Sequence, residues 1–484
     1  MEKNESYMQS EVHERTIKHI KWLIWLYFWL LIFEGTFRKW ILPQYSDVLL
    51  VVRDPVVLII YLLALKARVF PRNGYIIWLG GMAFLSLLVS LVVLEPYLSL
   101  KPLILVTGFG FRCNFLHLPL IFIMGKILDL DDIKKLGWWI LVGLIPMCVL
   151  LAVQFNAAPD AFINRTAGLG ETQQITAGGG KIRPPGTFSF VSGVIFYAAL
   201  STSYLLYAAL SRGLYRNWLL FSAGFALVVT IAVSGSRSTL LAVVVVISSL
   251  GAIILIRPRA INQFGRNLLI VVVVLVIVTR LPIFKEGVQI LSDRFTASAE
   301  AEETTIASGL LARTFSGFTE GFLLMSRAPI GGYGLGIGTN GGAKFLTGRA
   351  VFLLTEGEWG RVILESGPIL GLAFLLWRTW LTIKLGFFSF KQLTMGNILP
   401  IMLYAAGFMS LLSGQFGQPT NLGFAVFICG LCLAAGNTAI APGDAELLTP
   451  APALPRPMAR RSRYAGRLHD SAAGPRHSDD SFDR

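Results

Sequence analysis

Apolar runs close to the length of a membrane-spanning helix recur along almost the whole chain of 484 residues. A helix needs about 20 apolar residues to cross the hydrocarbon core of a bilayer, so these runs predict membrane helices. The composition agrees, because 54% of the residues are hydrophobic and 14% are charged, against roughly one-quarter charged residues in soluble domains. The sequence therefore predicts an all-α polytopic membrane protein and excludes a soluble fold.

A hydropathy window of about 19 residues predicts about twelve transmembrane helices. The first apolar run is followed by Glu34, Arg38 and Lys39, not by the small residues of a signal-peptide cleavage site, so it is expected to remain as the first helix. The predicted helices lie near residues 20–33, 47–65, 75–94, 101–124, 136–155, 187–210, 217–233, 238–256, 267–281, 362–380, 396–413 and 420–438.

Lysine and arginine residues in alternate loops predict the orientation, since such loops face the cytoplasm. These loops contain Lys66, Arg68 and Arg72; Lys126, Lys134 and Lys135; Arg212 and Arg216; Arg257, Arg259 and Arg266; and Lys384 and Lys391. We therefore expect a cytoplasmic N-terminus at 1–19, a transmembrane domain at 20–438 and a disordered cytoplasmic tail at 439–484. Two long loops, at about 156–186 and at about 282–361 between helices 9 and 10, are predicted to face outward.

The net charge of +14 is explained largely by the cytoplasmic loops, so no nucleic acid partner is expected. The basic tail is expected to touch anionic lipid head groups. All four cysteines lie inside apolar segments, where a thiol packs as a small hydrophobic group. No disulfide framework is predicted.

Arginines in the outward loops are not explained by this orientation rule. Arg183 begins the segment Arg183-Pro-Pro-Gly-Thr-Phe, which leads rigidly into a helix, and Arg237 lies in the short turn Ser234-Gly-Ser-Arg-Ser between two apolar runs. Guanidinium is a rigid cation that suits phosphate oxygens, so both positions are candidates for binding a lipid diphosphate. The alternative is that both arginines form hydrogen bonds at helix ends.

The long outward loop contains further candidates. An amphipathic helix in the membrane interface is predicted by the 4-3-4-3 spacing of Leu311, Phe315, Phe318, Phe322 and Met325. Arg313 lies off this apolar stripe, so it either faces substrate or pairs with Glu320 on the same helix face. Arg327 and Arg361 are also candidate substrate-binding residues, although solvated pairing with loop carboxylates is the alternative.

Two carboxylates precede the helix predicted after this loop, in Glu356-Gly-Glu-Trp-Gly-Arg361. Glu356 or Glu358 is the candidate base that takes a proton from a sugar hydroxyl, and Trp359 is a candidate for stacking on a sugar ring. The alternative is that these carboxylates neutralise Arg349 or Arg361.

The glycine-rich stretch 331–342 lacks the Gly-Lys-Ser/Thr ending of a nucleotide-binding loop. Its glycines instead predict close backbone approach to a helix or a sugar, or a purely structural turn. Inside the membrane, Arg112 and His117 are secondary functional candidates. An equally good interpretation is structural, with both side chains forming hydrogen bonds where helices contact one another.

These motifs, in their order over roughly residues 180–375, resemble the O-antigen ligase and O-antigen polymerase superfamily. The resemblance rests on the Arg183 and Ser234–Ser238 segments, on Arg313 before Pro329-Ile-Gly-Gly-Tyr-Gly-Leu-Gly, and on Glu365-Ser-Gly-Pro-Ile-Leu-Gly. It implies that a bacterial inner-membrane enzyme transfers an undecaprenyl-diphosphate-linked glycan at the periplasmic face. The acceptor would be a lipid-linked repeat unit or lipid A-core, and no metal or cofactor is implied. Arg183, Arg237 and Arg313 would hold the diphosphate.

One departure from that family favours its polymerase activity over its ligase activity. Ligases of the family carry a histidine about nine residues before the Glu-x-Gly that opens the next helix, and Glu356 stands there. We therefore expect a polysaccharide polymerase, with a flippase and a chain-length regulator as possible protein partners. The competing hypotheses are a lipid-glycan flippase or transporter that uses Arg112 and His117, and an inactive scaffold for polysaccharide export.

Overall fold

The computed structural model describes residues 2–167, 174–211, 213–256 and 317–437. Within these ranges the chain is mostly helical, and its β-structure is one antiparallel pair, β1 (Thr176–Gly178) and β2 (Lys181–Ile182). Nine spans in the described residues are long and apolar enough to cross a membrane, some of them built from consecutive helical segments, and two shorter helices are also apolar. The all-α membrane architecture is confirmed, whereas the predicted helix at 267–281 and the tail at 439–484 lie outside the described residues.

The described chain forms fifteen α-helical segments, numbered here in order. They are α1 (Glu2–Thr36), α2 (Ser46–Leu49), α3 (Asp54–Lys66), α4 (Gly74–Leu94), α5 (Leu100–Phe111), α6 (Pro119–Ile127), α7 (Leu130–Asn156), α8 (Ser192–Leu210), α9 (Asn217–Val233), α10 (Arg237–Ile256), α11 (317–324), α12 (Asn340–Thr347), α13 (Glu358–Thr394), α14 (Leu399–Ser413) and α15 (Pro419–Asn437). Two π-helical turns, Phe37–Ile41 and Arg112–Leu116, extend α1 and join α5 to α6. A buried apolar core runs through the bundle and includes the thiols of all four cysteines.

The helix predicted to begin near residue 187 begins later, at Ser192. Pro184 and Pro185 cannot donate backbone hydrogen bonds, and Gly186 has a φ of 61°, which lies in the left-handed region that favours glycine. The segment from Arg183 to Val191 therefore forms an ordered non-helical lead into α8. We call residues 183–191 the Arg183 segment.

Side-chain contacts define two ends of the bundle. At one end, Lys21 pairs with Asp129 at 2.5 Å and with Asp132 at 2.6 Å, joining α1 to the start of α7. At the other end, Lys344 pairs with Asp47 at 2.5 Å. Arg38 bonds both Ser46, beside Asp47, and Ser189, so the described parts of the loops predicted to face outward lie at this second end, which we call the predicted outward end.

The glycine-rich stretch packs against a break in α13. Pro368 has no N–H group with which to bond the Leu364 carbonyl, and Gly367 leaves the helical conformation with a φ of 77°. Tyr333 N–H donates to the Leu364 carbonyl at 2.7 Å, and Gly334 N–H donates to the Glu365 carbonyl at 3.0 Å. The stretch thereby satisfies carbonyls that the helix break leaves unpaired.

The same stretch also touches α5 through two glycines. A Cβ atom at Gly110 would lie 2.2 Å from the backbone nitrogen of Gly336, and Leu335 N–H donates to Ser90 Oγ at 2.9 Å on α4. Of the interpretations that the sequence leaves open for this stretch, the contact of Gly336 with α5 fits close backbone approach to a helix. Rotation of a side chain cannot relieve this overlap, because the Cβ atom added at Gly110 would meet backbone atoms of Leu335 and Gly336.

Replacing Gly110 with alanine should destabilise the protein by about 1–3 kcal/mol, because the added methyl group overpacks the contact with Gly336. The matched control is Gly108→Ala on the same helix, where a Cβ atom would meet nothing within 4 Å. That variant should be neutral or slightly stabilising, since alanine favours helix over glycine. Thermal unfolding of both variants in the same detergent checks the difference, and equal melting temperatures would contradict it.

Candidate functional site

The structure brings the Arg183 segment into contact with the Ser234–Ser236 turn that precedes Arg237. Gly235 has a φ of 55°, and a Cβ atom there would lie 2.7 Å from Ala177 Cβ and 3.8 Å from Arg183 Cγ. The turn is short, as predicted, because α9 ends at Val233 and α10 begins at Arg237. Two arginines far apart in sequence therefore lie on neighbouring segments at the predicted outward end.

The Arg183 side chain is half-buried, and none of the described residues provides it with an acidic partner. Its Nε atom is buried without a hydrogen-bond partner, and among the described residues no carboxylate lies within 4 Å of its guanidinium. A buried donor without a partner costs about 1–3 kcal/mol, and more when it is charged. Within the described chain, the Arg183 guanidinium therefore has a donor left without a partner. Arg237 is also half-buried and makes an interaction of its own.

Lys39 is a third basic residue at this place, and the sequence arguments did not single it out as a site residue. It lies on the π-helical turn after α1, is 1% exposed, and donates from Nζ to the Gly186 carbonyl at 2.5 Å. Its Nζ also lies 4.4 Å from the centre of the Trp40 ring. No described carboxylate lies within ion-pair distance of it, whereas the adjacent Arg38 pairs with Glu34 at 3.1 Å.

We call Lys39, Arg183 and Arg237 the Arg183 cluster. A signal for Lys39 was present in the sequence, because a lysine after an outward-going apolar run is not explained by the positive-inside bias. Its proximity to Gly186 depends on the fold, since α1 and the Arg183 segment are separated by almost 150 residues. Gly35 on α1 makes this approach possible, because a Cβ atom there would lie 2.3 Å from the Phe188 backbone.

Glu358 and Arg361 lie together, but inside the bundle. Arg361 bonds Glu358 through Nε at 2.9 Å and Glu365 through Nη1 at 2.6 Å, and its Nη2 bonds Asn114 Oδ1 at 2.8 Å. Arg378 bonds the second oxygen of Glu358 at 2.7 Å. All four charged side chains are at most 5% exposed. The arrangement favours the interpretation in which Glu358 neutralises Arg361, since both Glu358 oxygens are already occupied.

Glu356 differs from Glu358 although the two are separated by one residue. Its side chain is exposed, and its carbonyl accepts a hydrogen bond from Gln415 Nε2 at 2.9 Å. Of the two candidate bases, Glu356 is the one with an accessible carboxylate. Arg327 is also exposed, just after α11, and no described contact links Arg327 or Glu356 to the Arg183 cluster.

Trp359 is buried and does not present a free ring face. It packs edge-on against Phe318 of α11 at 4.6 Å, and its indole N–H donates to the Leu412 carbonyl at 3.2 Å. Trp359 therefore connects the start of α13 to α11 and α14. Phe318, Phe322 and Met325 of the predicted apolar stripe belong to the described chain, whereas Leu311, Arg313 and Phe315 lie outside the described residues. The predicted pairing of Arg313 with Glu320 falls outside them for the same reason.

Arg112 and His117 are held in a second buried network. Arg112 Nε bonds Asp54 at 2.6 Å and its Nη2 bonds the Leu50 carbonyl at 3.0 Å. His117 lies between Asp54, at 2.9 Å, and the hydroxyl of Tyr27, at 3.2 Å. These contacts join α1, α3 and the π-helical turn after α5, so they fit the interpretation of satisfied polar groups at helix contacts.

Chemically, the site combines a group of basic side chains, of which Lys39 and Arg183 have no carboxylate partner among the described residues, with an accessible carboxylate at the same end of the bundle. The basic group suits an anion such as a phosphate ester, because guanidinium and ammonium donors make short charge-assisted hydrogen bonds to its oxygens. The carboxylate of Glu356 is open to accept a proton from a bound hydroxyl. Neither the protein-family models nor the curated proteins include a match to this sequence.

Proposed function

We propose that this chain is a membrane glycosyltransferase that transfers a glycan from an undecaprenyl diphosphate to a hydroxyl acceptor at the predicted outward end. The observation that carries the proposal is the Arg183 cluster, in which, among the described residues, Arg183 Nε is buried without a hydrogen-bond partner and Lys39 is buried without a carboxylate. Unpaired charge is costly at a membrane-embedded position. A bound anion would remove that cost.

The position of the cluster supports a lipid-linked anion over a soluble one. Lys39 ends the first membrane helix, the Arg183 segment leads into α8, and Arg237 opens α10. Basic residues at the ends of membrane helices lie where lipid head groups lie. A lipid diphosphate can place its phosphates on these side chains while its tail remains in the bilayer.

The proposed reaction is a direct displacement. The acceptor hydroxyl oxygen forms a bond to the anomeric carbon, the bond from that carbon to the diphosphate oxygen breaks, and the diphosphate leaves with the electron pair. Arg183, Arg237 and Lys39 stabilise the charge that develops on the leaving oxygen. Glu356 takes the proton from the acceptor hydroxyl. Such a displacement inverts the anomeric configuration and uses basic side chains where other phosphate sites use a metal ion.

Glu356 is also the reason why we propose a polymerase rather than a ligase. It occupies the place where the resembled ligases have a histidine, so we favour a polymerase, with a lipid-linked repeat unit as acceptor, over a ligase that acts on lipid A-core. Arg313 would be a further diphosphate ligand in this scheme. The proposed location is the bacterial inner membrane with both termini cytoplasmic, and a flippase and a chain-length regulator are the proposed partners.

Replacing Arg183 with alanine should weaken binding of undecaprenyl diphosphate by about 10–100-fold, because a hydrogen bond to a charged group contributes about 1.5–3 kcal/mol. The measurement is a titration of purified protein in lipid nanodiscs. Arg349→Ala is the matched control, since Arg349 is an exposed arginine at the same end. Equal losses in the two variants would indicate general charge attraction and would contradict a specific diphosphate site.

A further inference from the structure

A row of amide side chains leads away from Glu356. Gln415 Nε2 donates to the Glu356 carbonyl at 2.9 Å, and Gln418 Nε2 donates to Gln415 Oε1 at 2.7 Å. Asn421 follows one helical turn later, on α15. The row therefore begins at the backbone carbonyl of Glu356 and continues into the first turn of a membrane helix.

The far end of this row has unused acceptors. Gln418 Oε1 and Asn421 Oδ1 are both buried, and within the described chain neither has a hydrogen-bond partner. Asn421 is 6% exposed, and no described residue hydrogen-bonds its side chain. Buried amide oxygens are almost always paired in native proteins. These two unpaired oxygens, three residues apart, have the capacity to accept hydrogen bonds from a bound ligand.

The same helix face reaches the Arg183 segment. Phe424 lies three residues after Asn421, so the two side chains share a face of α15. Phe424 packs against Phe188 with ring centroids 5.6 Å apart, and Phe188 belongs to the Arg183 segment. Asn421 therefore lies on the face of α15 that contacts the Arg183 segment, three residues after Gln418, and Gln418 bonds the amide that contacts the Glu356 carbonyl.

We infer that Gln418 and Asn421 line a glycan subsite between the Arg183 cluster and Glu356. The inference rests on the proposed function and adds the location of the sugar. The chemistry separates the two parts of the ligand, because an amide oxygen accepts hydrogen bonds and an ionised phosphate has none to donate. Sugar hydroxyls donate, so the amide row suits the glycan and the basic cluster suits the diphosphate.

Asn421→Leu tests the subsite with little risk to folding. The replacement keeps the number and branching of the side-chain heavy atoms and removes no hydrogen bond made by the described chain, so we expect little change in thermal stability. Nanodisc titrations compare glycan-bearing undecaprenyl diphosphate with bare undecaprenyl diphosphate. The wild type should bind the glycan-bearing lipid more tightly than the bare lipid. This ratio of affinities should be about 5-fold smaller in Asn421→Leu, the loss expected for one neutral hydrogen bond. Binding of the bare lipid should be unchanged.

Gln418→Met should lower the same preference, and Gln392→Met is its control. Gln392 is half-buried on α13 at the opposite end of the bundle, so its variant should bind both lipids as the wild type does.

Steady-state kinetics of Asn421→Leu and Gln418→Met then show which sugar occupies the subsite. A raised KM for the donor alone places the donor sugar on the amides, and a raised KM for the acceptor places the acceptor there. Either result supports the subsite.

Different results would contradict the proposed function and the glycan subsite. If the wild type binds neither lipid, the proposed function is wrong and the inference fails with it. If Arg183→Ala weakens both lipids while Asn421→Leu and Gln418→Met keep the wild-type preference, the glycan subsite alone is wrong. A fall in the melting temperature of Asn421→Leu without a change in preference would also overturn it, since it would assign Asn421 a packing role.

Discussion

Replacing Glu356 with glutamine should lower the rate of glycan transfer by about 10²–10⁴-fold, the range that general base catalysis contributes. Glutamine keeps the size of the side chain and leaves the carbonyl that Gln415 contacts in place. Because the Glu356 carboxylate is exposed, the melting temperature should not change. Single-turnover transfer from a labelled undecaprenyl-diphosphate glycan, at saturating donor, measures the effect on the chemical step.

The same replacement at Glu358 provides the matched control, two residues away. Glu358 is 5% exposed and its carboxylate pairs with Arg361 and Arg378. Glu358→Gln should therefore destabilise the protein by about 3 kcal/mol, since a buried cation loses its counter-charge. Its folded fraction should retain transfer at a rate near that of the wild type. If Glu358→Gln abolishes transfer in folded protein and Glu356→Gln does not, the assignment of the base must be reversed.

The membrane helices could be predicted from the sequence because their signal is local. A run of apolar residues is enough to predict a helix in lipid, where backbone groups must bond within their own segment. The position of α8 shows the limit of that signal. Phe188 and Val191 extend the apolar run, yet the turn at Pro184, Pro185 and Gly186 delays the helix to Ser192.

The role of each charged residue was harder to predict, because it depends on the residues that pair with it, and those residues are distant in sequence. Glu356 and Glu358 were equal candidates in sequence, and only burial and the contacts of Arg361 and Arg378 separate them. Lys39 reaches the candidate site because α1 packs on the Arg183 segment. No periodicity in the sequence encodes that contact.

The buried network around Arg361 also explains how the loop end of α13 is held in place. Arg361 joins Glu358 and Glu365 on its own helix to Asn114 on the π-helical turn. Glu365 in turn accepts the N–H of Gly338 at 2.9 Å, so the glycine-rich stretch is tied to the same group. Glu356 lies just before this anchored helix start and is positioned by it.

Replacing Arg361 with methionine should destabilise the protein by about 3–5 kcal/mol, the cost of removing one partner from a buried ion pair. Glu365 has no other cation among its described partners, so it would carry the larger part of the uncompensated charge. Glu358 would retain Arg378. Thermal unfolding in nanodiscs, together with the yield of monodisperse protein, measures the loss.

A second replacement distinguishes uncompensated charge from lost packing. In the double variant Arg361→Met with Glu365→Gln, the unpaired carboxylate is removed while the amide can still accept the Gly338 N–H. Much of the lost stability should return, because burying a neutral amide with a partner costs less than burying an isolated charge. If the double variant were as unstable as Arg361→Met alone, Arg361 would act through the volume of its side chain. The ion network would then not be what holds the start of α13 and, with it, Glu356.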